Sequence, residues 1–271
     1  MEYYVLWRPY KAQYIIWYSA CEYIPSKSII PSNVVLVAPS RFVADMIHRA
    51  YGVKPIIIPH GVNPDDIKYD SQLVEKIRRK YGEFILYVGS NIKRKGVGYL
   101  IKAVEYLYND GVKVNLVLIT SYPSKAMWSF YKPYIIPSKP YIHVIDTSND
   151  RILDDITLHS YYRACSVYVQ PSLQEGFGIP VVEAGMHDKP VVLAPFYTAF
   201  ELSPKWYELR VNNITHIETE NTEIGAFIYN HYNPKDLAEK IWTALNNQDI
   251  TLREYVLDNF NISVYDEFKE L

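Results

Sequence analysis

Cysteine is nearly missing from this chain: Cys21 and Cys165 are the only two in 271 residues. Their separation fits neither a disulfide framework nor metal-ligand spacing. A reducing, cytoplasmic compartment is the natural setting. No uninterrupted apolar run reaches the roughly 18 residues that a membrane-crossing helix needs. The first 23 residues are aromatic and apolar, but Glu2, Arg8, Lys11 and Glu22 break them up. They lack the basic-then-apolar order of a secretory signal. Neither sign of charge dominates, with 28 basic against 30 acidic residues and a net charge of −2. No global field draws the chain to nucleic acid or to an acidic membrane. No Gly-x-Gly-x-x-Gly follows a strand, which argues against a nicotinamide-dinucleotide enzyme. Internal repeats and low-complexity tracts are absent.

What is present is an ordinary globular balance, 49% hydrophobic and 21% charged. A chain of this length holds one large domain or two modest ones, with a core that needs no disulfide. The 26 tyrosines suit strands and half-buried faces, and most are read as structural.

Short runs rich in Val and Ile alternate with segments of helical period, which predicts an α/β fold with a parallel sheet covered on both faces. Near the start, strands are expected at Tyr14–Tyr18, Val34–Val37 and Ile56–Ile58. A helix from N-cap Ser40 to about Tyr51 is stopped by Gly52. The turn-rich stretch Pro59–Pro64 reads as a linker. A second series then offers strands at Phe84–Val88, Val114–Ile119, Ile142–Ile145, Val167–Gln170 and Val191–Leu193, and a weaker one at Ala226–Tyr229. Its helices are expected at about Gln72–Tyr81, Val97–Asn109, Leu158–Cys165, Pro180–His187, Pro234–Asn246 and Leu252–Asn259, with a short one over Val264–Lys269. The expected division is residues 1–63 and 64–271, with the first part too short to be a complete domain.

Two strand-to-helix turns carry chemistry. Gly89-Ser90-Asn91-Ile92-Lys93-Arg94-Lys95-Gly96 puts three cations and two glycines ahead of a helix. Such a turn suits a diphosphate, because helix N-termini and Lys/Arg both attract phosphate. A solvated basic loop is the equal alternative. Glu175-Gly176-Phe177-Gly178-Ile179-Pro180 follows the strand Val167–Gln170, and Glu183 lies just inside the next helix. The glycines allow close backbone approach to a ligand, and Pro180 suits a first helical turn. Two carboxylates around one helix start can accept from a ribose diol and from a sugar ring. The alternative is a loop glutamate and a helix-capping one.

Residues Val167 to Val192 resemble the signature of family 4 glycosyltransferases of the GT-B fold: two glutamates separated by seven residues around Gly-Phe-Gly-x-Pro. The resemblance extends through Tyr162–Ser172, Lys189–Val192, Ala38–Phe42 and Ile58–Val62, covering roughly Ile15 to the C-terminus. It implies a GT-B-like arrangement: one complete Rossmann-like, doubly wound domain plus a reduced N-terminal α/β remnant that ends at the hinge. It also implies a nucleotide-diphosphate sugar as co-substrate, with no cofactor or metal, and transfer with retention to an unknown acceptor. By the same resemblance, Glu183 holds the nucleotide ribose and Glu175 meets the donor sugar hydroxyls. The backbone of Gly176, Phe177, Gly178 and Ile179 meets the sugar or diphosphate, and Gly89, Ser90 and Arg94 belong to the donor loop. Lys95 matches the lysine that neutralises the departing diphosphate.

The departures are specific. Ser90 stands where the family has arginine, leaving Arg94 or Lys93 to supply that charge. The Gly-Gly-x-Pro-Glu loop becomes Tyr197-Thr198-Ala199-Phe200-Glu201, with only the glutamate retained. Leu202 to Gly225 is longer than the usual connection and carries no readable motif. No histidine falls where the family's catalytic one would; His60 is read as structural, and His159 and His187 as surface or packing residues. A homodimer or partner subunit completing the acceptor side is one expectation. A non-catalytic nucleotide-sugar-binding module, or a subunit of a larger transferase, is the alternative.

Overall fold

The computed structural model describes residues 15–18, 23–25, 34–124, 133–149, 151–222 and 225–270. Cys21, Tyr14 and most of the aromatic N-terminal stretch lie outside them.

The first part of the chain supplies β1 (Ile15–Tyr18), β2 (Tyr23–Pro25), β3 (Val34–Ala38), α1 (Arg41–Tyr51) and β4 (Ile56–Ile57). β1, β3 and β4 form a parallel sheet. The boundaries of α1 are local. Ser40 accepts from the Val43 N–H at the start, and Gly52 closes the end with φ 73°, a left-handed value that favours glycine.

The second part builds a five-stranded parallel sheet from β5 (Phe84–Val88), β6 (Asn115–Thr120), β7 (Ile142–Asp146), β8 (Val167–Gln170) and β9 (Val191–Leu193). Their spatial order is β7-β6-β5-β8-β9. Phe84, Ile85, Leu86 and Tyr87 are all fully buried, so both faces of the central strand are covered. The helices that cover the sheet are α2 (Ser71–Tyr81), α3 (Val97–Asn109), α4 (Asp155–Ala164), α5 (Ile179–Gly185), α6 (Pro234–Asn246) and α7 (Arg253–Asn259). α3 packs on α6, and α2 on α4.

The predicted elements of the parallel sheets recur within a few residues. Two segments differ. The long connection after β9 contains β10 (His216–Thr222), which pairs antiparallel with β11 (Gly225–His231), so the weak expected strand is one arm of a hairpin. β11 also pairs with β2, so a strand from the first part of the chain joins a sheet of the second. The expected terminal helix is a 3-10 stretch, Ile262–Glu270. Its start is tied to the linker: Val62 N–H donates to the Phe260 carbonyl (2.7 Å), and Ile262 N–H to the Val62 carbonyl (2.9 Å).

Candidate donor-binding site

In the order β7-β6-β5-β8-β9 the connections reverse direction between β5 and β8. The crevice beyond the carboxyl ends of two such strands is where doubly wound sheets bind ligands. Both motifs sit there, one after each strand.

The loop after β5 is held against the loop after β8. Leu173 N–H donates to the Arg94 carbonyl (2.7 Å). Gly96 has φ 66°, and a Cβ there would lie 2.0 Å from the Pro171 carbonyl oxygen, so only glycine permits the approach. Lys93–Lys95 form a 3-10 turn that projects two of the three cations inward.

Those two cations meet Glu175. Lys95 Nζ lies 2.7 and 2.9 Å from its two carboxylate oxygens, and Arg94 Nη1 lies 2.9 Å from Oε2. Gln170 Nε2 (2.9 Å) and Ser172 Oγ (2.6 Å) donate to Oε1. Tyr168 in turn donates to Gln170 Oε1. The Glu175 side chain is 2% exposed, and those of Lys95 and Arg94 are 13% and 14% exposed. Burial alone would push this carboxyl up; the Lys95 and Arg94 charges outweigh it and hold it below the ordinary carboxylate range. The structure thus brings Lys95, Arg94 and Glu175 together as one buried ionic cluster, with the carboxylate turned inward.

Gly176, Phe177 and Gly178 continue the loop. Ser40 Oγ donates to the Gly176 carbonyl (2.6 Å), and Thr198 Oγ1 to the Phe177 carbonyl (2.9 Å). Gly178 has φ 113°, a conformation that a side chain would strain, and it leads directly into α5 at Ile179. The Phe177 ring is edge-on to both His60 and Phe260.

Glu183 lies apart from the cluster. It lines a cleft of about 240 Å³ together with His60, Asn63, Asp155, His159 and Phe177. Tyr162 Oη donates to its Oε2 (3.0 Å). Burial pushes the Glu183 carboxyl up, partly offset by that hydrogen bond. His60, on the same cleft, is lowered by burial to about 4 and is neutral at pH 7.

Three sequence expectations need correction or completion. His159 and His187 are buried packing residues rather than surface ones; their rings hydrogen-bond (2.9 Å), and His187 stacks on Tyr162. Ser90 pairs with the Ser121 hydroxyl (3.1 Å), and Tyr87 Oη donates to its carbonyl. Lys93 does not join Arg94: it turns away to Glu218 and Glu220. The retained Glu201 accepts from the N–H groups of Arg41 and Phe42 (2.9 and 3.2 Å), so in this structure it caps α1. Gln170, Ser172, Thr198 and Tyr162 carry no site signal in the sequence, and Ser40 reads there only as a helix cap. Ser172 and Gln170 lie beside the motif, but the partnership of Ser40 spans 136 positions and has no local signal.

No helix among the described residues is long and apolar enough to cross a membrane. Among proteins of known sequence, the chain is 23% identical over 215 residues to an uncharacterized glycosyltransferase of Methanocaldococcus jannaschii, covering 79% of this chain and 50% of that one. It is 25% identical over 212 residues to the capsular polysaccharide biosynthesis glycosyltransferase CapM of Staphylococcus aureus, covering 77% and 49%. The chain therefore spans about half the length of these relatives. Among solved structures, HepE of Anabaena, crystallised with UDP and glucose, superposes with a TM-score of 0.63 at 17% identity, covering 87% of this chain and 62% of that one. Sucrose-phosphate synthase from Thermosynechococcus elongatus gives 0.64 at 18%, covering 87% and 57%. The fold is that of GT-B glycosyltransferases. The family model described as glycosyl transferases group 1 matches residues 82–247, more than half of the chain, including Lys95, Arg94, Glu175 and Glu183, and on that match the chain belongs to the group 1 glycosyltransferase family.

Proposed function

We propose that the chain binds a nucleotide-diphosphate sugar in the β5–β8 crevice and transfers the sugar, with retention and without a metal, to an acceptor yet to be identified. The observation that carries this reading is the buried meeting of Lys95 and Arg94 with Glu175, directly before the glycine loop Gly176–Gly178, whose Phe177 also lines the Glu183 cleft. A diphosphate laid along Gly89, Ser90 and the backbone of Phe177–Ile179 would draw on those two cations. Their chemical task is to stabilise charge on the departing diphosphate. Glu183 would accept from the ribose hydroxyls, and Tyr162 holds one of its oxygens in place. Glu175 is the catalytic carboxylate of this reading: it sets the two cations, and it reaches the sugar hydroxyls when phosphate takes its place between them.

HepE was crystallised with UDP and with UDP-glucose, which makes UDP-glucose the first donor to try and a hexosyl transfer the first activity to measure. We infer a donor unit over residues 64–271, an acceptor-side unit over 1–63, a second copy or partner subunit completing the acceptor side, and a cytoplasmic location. A second reading, a nucleotide-sugar-binding module or subunit without turnover of its own, is favoured by Ser90, which stands where the family has arginine and pairs with the Ser121 hydroxyl.

The test is a screen of UDP-, GDP- and ADP-sugars by thermal shift, followed by calorimetry with the best nucleotide and its sugar. A ligand at 100 times its dissociation constant adds about 2.7 kcal/mol of stability, well within reach of the method. Glu183→Ala is expected to lower nucleotide affinity, whereas Glu175→Ala is expected to change discrimination among sugars without lowering it. Equal nucleotide losses in the two variants would reject the assignment of roles. Binding without hydrolysis or transfer, with candidate partners supplied, would favour the module reading.

A further inference from the structure

A second cavity, about 770 Å³, opens beside the donor loops and is lined by none of Glu175, Glu183, Arg94 or Lys95. Ile92 and Gly96 bring it to the back of the β5 loop, and Leu173 to the back of the β8 loop. Its volume falls within the range of small-molecule sites, about 300–1,000 Å³.

Its walls are aromatic rings held by a polar relay. His231 sits 2.6 Å from Tyr99 Oη through Nδ1 and 2.6 Å from Glu218 Oε2 through Nε2. Lys93 Nζ lies 2.8 Å from Glu218 and 2.7 Å from Glu220, and its hydrogen bond holds the Glu218 carboxyl below the ordinary range. An ionised carboxylate only accepts, so Nε2 of His231 carries the proton and donates to Glu218. In the neutral ring Nδ1 is then the acceptor, and Tyr99 donates to it. The His216 ring stacks flat on His231, with centroids 4.2 Å apart. Tyr134 lies over Gly98, close enough that a Cβ there would meet its ring at 2.7 Å. The hairpin β10–β11, the connection whose sequence shows no motif, thus fixes two rings of a concave wall.

This arrangement selects among ligands. A phosphate or carboxylate would find Lys93 already shared by Glu218 and Glu220, with Lys102 as the other cation of the wall. A purely apolar ligand would make no use of the exposed hydroxyl, imidazole and ammonium groups of Thr215, His216 and Lys102 at its rim. A neutral sugar meets both demands: its C–H faces lie on aromatic rings, and its hydroxyls pair with groups that donate and accept.

We propose that this cavity is a saccharide-binding subsite, with Tyr99 and Tyr134 as its platforms, separate from the donor crevice.

The test is saturation-transfer NMR with methyl glucoside, maltose, cellobiose and lactose at millimolar concentration. It is run on the full chain and on Tyr134→Ala, Tyr99→Ala and His216→Ala, with UDP binding followed in parallel by thermal shift. At least one saccharide is expected to show transfer, weakened about tenfold in Tyr134→Ala and Tyr99→Ala, a difference of about 1.4 kcal/mol. The UDP shift should stay at the wild-type level in Tyr134→Ala. If Tyr99→Ala fails to fold, Tyr134→Ala and His216→Ala decide. No transfer from any saccharide, or transfer that none of the folded variants weakens, overturns the proposal. Saccharide transfer with no response to any nucleotide would instead remove the donor reading and leave the subsite standing.

Discussion

Glu175→Gln isolates the electrostatics of the donor loops. The amide keeps the shape of the side chain and removes its charge, leaving Lys95 and Arg94 without their counter-ion. Removing one partner of a buried ion pair costs about 3–5 kcal/mol. Lys95 and Arg94 keep some access to water, which places the cost at the low end, about 3 kcal/mol. For a chain of this size that corresponds to a melting temperature lower by about 6–12 °C. The same substitution frees both cations for phosphate. UDP no longer has to displace an internal carboxylate, so its affinity is expected to rise by about tenfold, or 1.4 kcal/mol. Saturating UDP should also close part of the stability gap between variant and wild type, because the ligand restores the missing negative charge. Differential scanning fluorimetry with and without UDP, backed by calorimetry, reads all three effects. An unchanged melting temperature together with weakened UDP binding would refute the reasoning, since it would make Glu175 a nucleotide ligand instead of an internal counter-ion.

The pH dependence of that gap follows from the direction of the shift. The folded carboxyl titrates below its unfolded value, so the folded state binds fewer protons across the interval between them. The stabilisation is complete above the unfolded value of about 4.3 and fades as pH falls through the folded value. Wild type and Glu175→Gln should therefore converge in acid and differ most at neutral pH.

Three further outcomes are expected. Tyr162→Phe removes the one hydrogen bond that offsets the burial of Glu183, so the acid limb of nucleotide binding should move to higher pH in a pH series of UDP titrations; an unmoved limb would detach Tyr162 from Glu183. Gly96→Ala sets a methyl 2.0 Å from the Pro171 oxygen and strains a left-handed backbone; melting should drop sharply and UDP binding should be lost with it, and a near-wild-type melting curve would contradict the locked-loop geometry. Glu201→Ala deprives the first two N–H groups of α1 of their side-chain acceptor, a loss of about 1 kcal/mol by comparison with other helix caps, visible as faster amide exchange at Arg41 and Phe42 with the crevice unaffected.

Local signals made much of the fold legible. α1 begins at Ser40 and ends at Gly52 as expected because both caps act within a turn of the helix. α6 begins at Pro234 because Asn233 caps it and proline suits that position. β10 escaped notice for the opposite reason. Its His-Ile-Glu-Thr-Glu-Asn-Thr sequence has one apolar residue, Ile217, and that one is 55% exposed. With no buried face, the strand has no alternation to read, and it exists because β11 supplies its ladder. Motif spacing marked Glu175, Glu183 and Lys95 as residues, but it did not mark the ion pair between the first and the last. Lys95 and Glu175 are 80 positions apart, and nothing in either segment names the other. What joins them is that β5 and β8 are neighbours at the reversal point of the sheet, Ile85 opposite Val167 and Leu86 opposite Tyr168. That register sets two loops side by side, and Gly96 lets them touch. The chemistry of the site is thus a property of strand order: moving β8 out of register with β5 would leave every motif residue intact and separate the cations from the carboxylate they bind.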